Sequence, residues 1–506
     1  MNRFRIFITG RLISLVVLLS FNILIIRLLN SYEYSTYAVL FALASVANTL
    51  GSLGSQRFIP KYVAPAQRDD NARVARYLII RFFALRILAA LVATGLCIFL
   101  YSTWLQHSVR IVNSATLPLV AISVVSAMYT DLEIVSQSLN QQRISRFVSV
   151  SEPILRTCLV ISSIWYQHEL TGIEMLALTA LSQGYAIALL GANALLNLKQ
   201  KIRSSPQRTQ MPPNSEILGI ASSSYISGLT YLISSPATIR LIAATIISMP
   251  ELAALSFVQT ITLSLQRYSP GFILFPFIEP TIMGWQATGD PKRYDRAAAT
   301  LSLIVKVDAI LITLAIAAIS PVAGEILVIM AGKSIDPNPI VLLLGMAVII
   351  GSTVVRSCEI AASFSAAYSA VFSSSLVSIF LLLLLFFGGQ YLGLIGILSF
   401  PVVDALARAF IIGQGAKKNG FRTIIDWRIV GLCNFCILVI ILISKYWLAP
   451  YGISSVGKLL YCMLFPTCIT VLLSLAKPIT TIENELLSER ISSKSLLRLL
   501  SLLSRH

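Results

Sequence analysis

About eight Lys and Arg residues sit inside long apolar stretches of this sequence, and they have more chemistry to offer than anything else in it. A cation at mid-bilayer costs roughly 2.5–3.5 kcal/mol on insertion scales. A chain that carries several is expected to keep them in a wet cavity, where they bind something. Arg11, Arg27, Arg86, Arg240 and Arg267 have no acid at helical spacing. A guanidinium grips phosphate through two parallel hydrogen bonds and stays charged at any working pH. Snorkelling to an interface also accounts for Arg27 and Arg240. Arg11, Arg86 and Arg267 are therefore the first candidates for an anion-binding cavity, with Lys306 and Arg240 behind them.

The acids suggest a second role. Asp131, Glu133 and Asp308 lie inside apolar stretches and are candidates for a coupling ion, either a proton or sodium. Burial favours the protonated carboxyl, which suits a proton carrier; interhelical hydrogen bonding is the plainer reading. Asp131 and Glu133 alternate faces, so one of them is expected to look inward. Lys306 and Asp308, two residues apart, point away from each other and need different partners. Glu152 with Arg156, Asp404 with Arg408, and Arg356 with Glu359 have the spacing of local ion pairs.

Catalytic and metal-binding patterns are missing. The three histidines, His107, His168 and His506, fall at or beyond the ends of apolar stretches. No glycine-rich phosphate loop with a lysine occurs. Cys433 and Cys436 form a CxxC on an apolar stretch with no histidine nearby, so the cysteines read as small apolar filler. No metal and no organic cofactor is expected.

These residues must be positioned by membrane-spanning helices. Hydrophobic residues make up 56% of the 506 and charged ones 12%, with a mean hydropathy of +0.81, which no soluble domain matches. Apolar segments of about 20 residues span a bilayer as helices, because an isolated segment can satisfy its backbone in lipid only that way. Spans are expected near 6–29, 36–57, 78–104, 111–139, 145–166, 171–197, 215–246, 251–280, 297–319, 338–364, 366–388, 391–413, 425–444 and 455–476. With the N-terminus inside, about 27 Lys/Arg fall in cytoplasmic segments and about four outside. This positive-inside asymmetry explains most of the formal charge of +17 and argues against a nucleic-acid partner. It places both termini in the cytoplasm. The first stretch is too long for a signal peptide and is read as a retained span.

The first six and the next six spans share features at an offset of about 220 residues. Glu33 and Glu251 open spans 2 and 8, Pro60 and Pro280 close them, and Gly172 and Gly393 open spans 6 and 12. Six is an even number, so the halves are parallel repeats, with a substrate site expected between them. The fold class is thus all-α: a polytopic membrane protein of about 14 helices in two pseudo-symmetric six-helix bundles plus two extra helices. The expected boundaries are 1–198 and 215–416 for the lobes, 199–214 for a cytoplasmic linker, 417–476 for the extra pair and 477–506 for a basic tail. That tail interleaves leucines with Lys494, Arg498 and Arg505, as an interfacial helix or a frayed terminus would. Pro60, Pro118, Pro153, Pro236, Pro270, Pro276, Pro280 and Pro401 are expected to interrupt or end helices. Pro270, Gly271 and Pro276 together suggest a gate hinge in span 8.

Two motifs carry a resemblance. Leu28 to Tyr37, with Glu33 and Tyr34 at its turn, followed by Arg57-Phe-Ile-Pro60-Lys-Tyr62, resembles the polysaccharide-exporter flippases of the multidrug/oligosaccharidyl-lipid/polysaccharide superfamily. Ser31 and Ser35 stand where that family favours glycine. In the stretch Ser234 to Ile242 it often has an acid–base pair, and Ile239 replaces the acid here. The resemblance implies two six-helix lobes around a cavity, and alternating access for an undecaprenyl-diphosphate-linked oligosaccharide (an O-antigen, capsule or exopolysaccharide repeat unit). It adds Arg57 to the cationic candidates, although Arg57 also fits a marker of the cytoplasmic interface. It implies a bacterial inner membrane, with polymerase and chain-length proteins of the same pathway as partners. The expectation is a transporter and not an enzyme. The alternatives are a cation-coupled multidrug exporter of the same superfamily and an integral polysaccharide polymerase or ligase. The exporter would prefer an acidic cavity; the enzyme would show a large outer loop, and the longest outer segment here is roughly 321–337.

Overall fold

The computed structural model describes residues 2–63, 72–104, 113–139, 141–167, 169–204, 214–287, 292–332, 338–421, 425–444, 446, 455–476, 480 and 483. The regular elements among them are all helical: α1 (Asn2–Leu28), α2 (Ser31–Leu50), α3 (Ser55–Val63), α4 (Ala72–Trp104), α5 (Asn113–Ser138), α6 (Gln142–Gln167), α7 (Gly172–Ser204), α8 (Asn214–Ile233) and α9 (Pro236–Ala243), then α10 (Met249–Tyr268), α11 (Pro270–Ala287), α12 (Arg293–Ile319), a 3₁₀ turn (Ser320–Val322), α13 (Ala323–Ala331), α14 (Pro339–Phe364), α15 (Tyr368–Leu392), α16 (Leu394–Lys418), α17 (Trp427–Ile443) and α18 (Ser455–Ala476). The three histidines and the leucine-rich tail with Lys494, Arg498 and Arg505 lie outside the described residues.

Eight stretches are long and apolar enough to cross a membrane, and three shorter apolar helices cover 13–28, 427–443 and 460–473. The three remaining expected spans are each broken in two: 36–57 into α2 and α3, 215–246 into α8 and α9, and 251–280 into α10 and α11. The chain is a multi-pass membrane protein.

Of the prolines expected to interrupt or end helices, Pro236 and Pro270 stand at breaks. Each begins a new helix, at the first-turn position where a missing N–H costs nothing. Pro60, Pro118, Pro153 and Pro401 lie inside α3, α5, α6 and α16, which run through them. Pro276 and Pro280 likewise fall within α11, which continues to Ala287. Packing against other helices, and side chains that reach the backbone, make such interior prolines tolerable.

The chain divides into two compact units, Met1–Phe257 and Val258–His506, the division falling inside α10. In the first, α2 is central and packs on α4, α5, α7 and α9. Beside Tyr34, Val39, Leu40 and Leu43, its buried residues include the small Ser35, Ala38, Ala42, Ala44 and Ala47, which let helices approach closely. Asn30 caps its start by accepting from the Glu33 N–H at 2.8 Å. The Glu33 carboxylate in turn accepts from the Gly172 N–H at 2.7 Å, tying the start of α7 to that of α2. Glu251, which stands at the matching place in the repeat, does something more local. At the head of α10 it accepts from the Ser248 hydroxyl and N–H of its own turn, at 2.8 and 3.0 Å. In the second unit α14 is the buried centre, packed on α12 and α16, and α15 pairs with α16.

Candidate functional site

Breaking a membrane helix exposes two sets of backbone groups, carbonyls before the break and N–H groups after it. In lipid each must find a partner. The two units answer this demand with the sequence's buried charges.

In the first unit α2 stops at Leu50 and α3 starts at Ser55. Leu53 and Gly54 adopt positive φ, 49° and 77°. A Cβ on Gly54 would lie 2.2 Å from the Ala221 carbonyl oxygen, so only glycine fits. Arg86 of α4 reaches the end of α2. Its Nη1 donates to the Asn48 carbonyl at 3.0 Å, and Nη2 donates to Asn48 Oδ1. Tyr225 of α8 donates to the Leu50 carbonyl at 2.8 Å. A cation at a helix C-terminus suits the helix dipole. Arg86 is itself balanced by Asp131 of α5, which accepts from Nε at 2.9 Å. Both side chains are 1% exposed. Gly51 permits the approach, since a Cβ there would stand 3.0 Å from both the Ala90 backbone and an Arg86 nitrogen.

In the second unit α10 ends at Tyr268 and α11 starts at Pro270. Here the buried charge is an acid, and it serves the other end of the break. Asp308 of α12 accepts from the Gly271 N–H at 3.1 Å, in the first turn of α11. It also accepts from Ser269 Oγ at 3.2 Å and meets the hydroxyl of Thr353 on α14. An anion at a helix N-terminus suits the dipole as the cation does at the C-terminus. Gly271 again permits the approach: a Cβ would lie 2.8 Å from the Thr353 methyl and 3.2 Å from an Asp308 oxygen. Gly51 and Gly271 are about 220 residues apart, the offset of the repeat.

The remaining candidates are dispersed. Lys306, two residues before Asp308, takes different partners, as the spacing requires: Glu483 at 2.9 and 3.0 Å and Asp426 at 3.4 Å. Arg240 of α9 is buried and donates to the Ser256 carbonyl at 3.2 Å. Arg267, in the last turn of α10, is exposed. Glu133 is half-buried and accepts from Gln137 at 3.2 Å. Pro270 is half-buried at the head of α11. Arg11, Arg57 and Pro276 fall within α1, α3 and α11, and their side chains lie outside the described residues.

The local pairs are partly extended by tertiary contacts. Arg156 holds Glu152 at 2.7 Å, Ser182 joins them, and the guanidinium lies 4.7 Å from the Phe21 ring centre. Arg356 bonds Glu279 at 2.8 Å and Glu359 at 3.6 Å, and Glu359 also receives Arg408 at 3.1 Å. Sequence reasoning missed Asn48, Ser269, Thr353, Asp426 and Glu483. Asn48 left a signal, as an amide in an apolar run just before Gly51-Ser-Leu-Gly54. No group of three or more metal-ligating side chains occurs among the described residues.

No protein-family model and no curated protein sequence matches the chain. Among solved structures it is similar to the lipid II flippase MurJ in an inward closed conformation, with a TM-score of 0.59, 12% identity, and coverage of 94% of this chain and 99% of that one. A eukaryotic MATE transporter, AtDTX14, aligns with a TM-score of 0.49 and 15% identity over 81% of this chain and 95% of that one. A point mutant of the Vibrio cholerae MATE transporter VcmN aligns with a TM-score of 0.45 and 15% identity over 82% of this chain and 96% of that one. At such identities the likeness to MurJ is one of fold.

Proposed function

We propose that the chain is a flippase that carries an anionic, lipid-linked oligosaccharide across a bacterial inner membrane by alternating access. The observation that carries this reading is the fold likeness to a lipid II flippase along nearly the whole of both chains. The membrane arginines and the two flippase-like motifs of the sequence support it. The substrate is an undecaprenyl-diphosphate-linked repeat unit of an O-antigen, capsule or exopolysaccharide. Its diphosphate is bound by membrane arginines other than Arg86, which is committed to Asp131 and Asn48 at the α2–α3 break. The role falls first to Arg267, exposed at the end of α10, and to Arg11, then to Arg57 and Arg240.

Deleting the gene and locating the lipid-linked glycan tests the reading. The expected result is glycan trapped on the cytoplasmic carrier with the surface polymer lost. Normal surface glycan with altered drug sensitivity would overturn it in favour of an exporter. Translocated but unpolymerised repeat units would overturn it in favour of a polymerase or ligase.

A further inference from the structure

We propose that Asp308 is a proton-binding site built into the α10–α11 break, and that its protonation state decides whether the break is closed and dry or open to water. This goes beyond the flippase reading and does not depend on which substrate is carried.

Asp308 is fully buried, and among the described residues every bond it makes is to a neutral donor: Gly271 N–H, Ser269 hydroxyl and Thr353 hydroxyl. The charged groups on the elements around it are engaged elsewhere. On α12 itself Lys306 pairs with Glu483 and Asp426, and Arg293 to Arg296 lie about three to four turns before Asp308. Glu279 of α11 and Glu359 of α14 bond Arg356, and Lys458 of α18 bonds Glu325. Arg267 and Tyr268 of α10, Arg428, Cys433 and Cys436 of α17, Cys358 of α14, and Tyr461, Cys462 and Cys468 of α18 make no bond to Asp308. An ionised carboxylate there is a buried charge with no counter-ion among the described residues, which is costly.

The hydroxyl of Thr353 lets both charge states exist. It lies against Asp308 Oδ2 and 3.1 Å from the Ile349 carbonyl, yet it has a single proton. With Asp308 protonated, the acid donates to Thr353 and Thr353 donates to Ile349, so every group is satisfied. With Asp308 ionised, Thr353 must turn its proton to the carboxylate. One hydroxyl rotation thus serves both states, and the proton itself passes between Asp308 and water. The Gly271 N–H points a proton at Oδ1 and so favours a bare or protonated carboxyl there, while sodium would have to turn the Ser269 and Thr353 hydroxyl protons away from Asp308.

The test uses the full-length protein in lipid. Infrared difference spectra between acid and alkaline pH should contain a carboxylic-acid carbonyl band that D308N lacks. Identical spectra in the two proteins would overturn the proposal, as would a band moved by sodium at constant pH. Hydrogen exchange of the segment 264–275 checks the coupling, with both proteins compared at the same pH. Above the pH at which the band disappears, the wild type should exchange about tenfold faster than D308N; equal exchange would overturn the link to the break. T353V keeps the carboxyl and removes the hydroxyl, so it covers the case in which D308N does not fold. It deprives the ionised form of a donor and the acid of an acceptor, so the midpoint at which its band disappears should move; an unmoved midpoint would overturn the Thr353 hand-off.

Discussion

The two broken helices meet the same physical demand with opposite charges. At the α2–α3 break a cation, Arg86, covers the Asn48 carbonyl, and a second buried charge, Asp131, neutralises it. At the α10–α11 break an anion, Asp308, covers an N–H, and among the described residues only neutral donors answer it. The first arrangement is closed in charge and reads as a fixed joint. The second becomes neutral only by taking up a proton, and reads as a movable one. Repeats that share a backbone plan can therefore divide labour through a few side chains.

The largest effect that separates the joints should come from R86A. Removing one partner of a buried ion pair costs about 3–5 kcal/mol, and thermal unfolding in detergent should show a large loss. D308N, by contrast, keeps the shape of the neutral acid and should cost less than about 1.5 kcal/mol. Equal losses would erase the distinction between a fixed and a movable joint.

Next in size is E483Q, which weakens the clasp on Lys306. A hydrogen bond to a charged group is worth about 1.5–3 kcal/mol, and Asp426 at 3.4 Å remains as a counter-ion. The loss in unfolding free energy should fall below that of R86A; a loss as large would mean that Asp426 does not share the charge.

The glycines sharpen the comparison further. G51A and G271A should each cost about 1–3 kcal/mol through overpacking. The clash at Gly271 is with the Thr353 methyl, so T353S should restore most of the stability of G271A. The contacts at Gly51 are with the Ala90 backbone and an Arg86 nitrogen, and no side-chain truncation at position 90 should rescue G51A. Rescue at both sites, or at neither, measured by thermal unfolding, would contradict the packing described.

Much of this was legible in the sequence. The apolar stretches marked the helices because lipid demands apolar length. Pro270 and Pro236 marked two breaks because proline favours a helix start. The divergence of Lys306 and Asp308 followed from their spacing alone. The α2–α3 break was less legible, since it rests on Gly51 and Gly54 and not on a proline, while Pro118, Pro153 and Pro401 signalled breaks that the helices do not make.

What the sequence determined by itself is the class of molecule: a helical membrane protein with a two-fold internal repeat and ionisable groups placed within its spans. Hydropathy, helical period and repeat offset are local properties, and a linear reading recovers them. Only the tertiary structure decided what each buried charge does. Arg86 meets Asp131 across 45 positions and Lys306 meets Glu483 across 177. Such pairings depend on how each helix is rotated against its neighbours, which packing fixes and spacing along the chain does not.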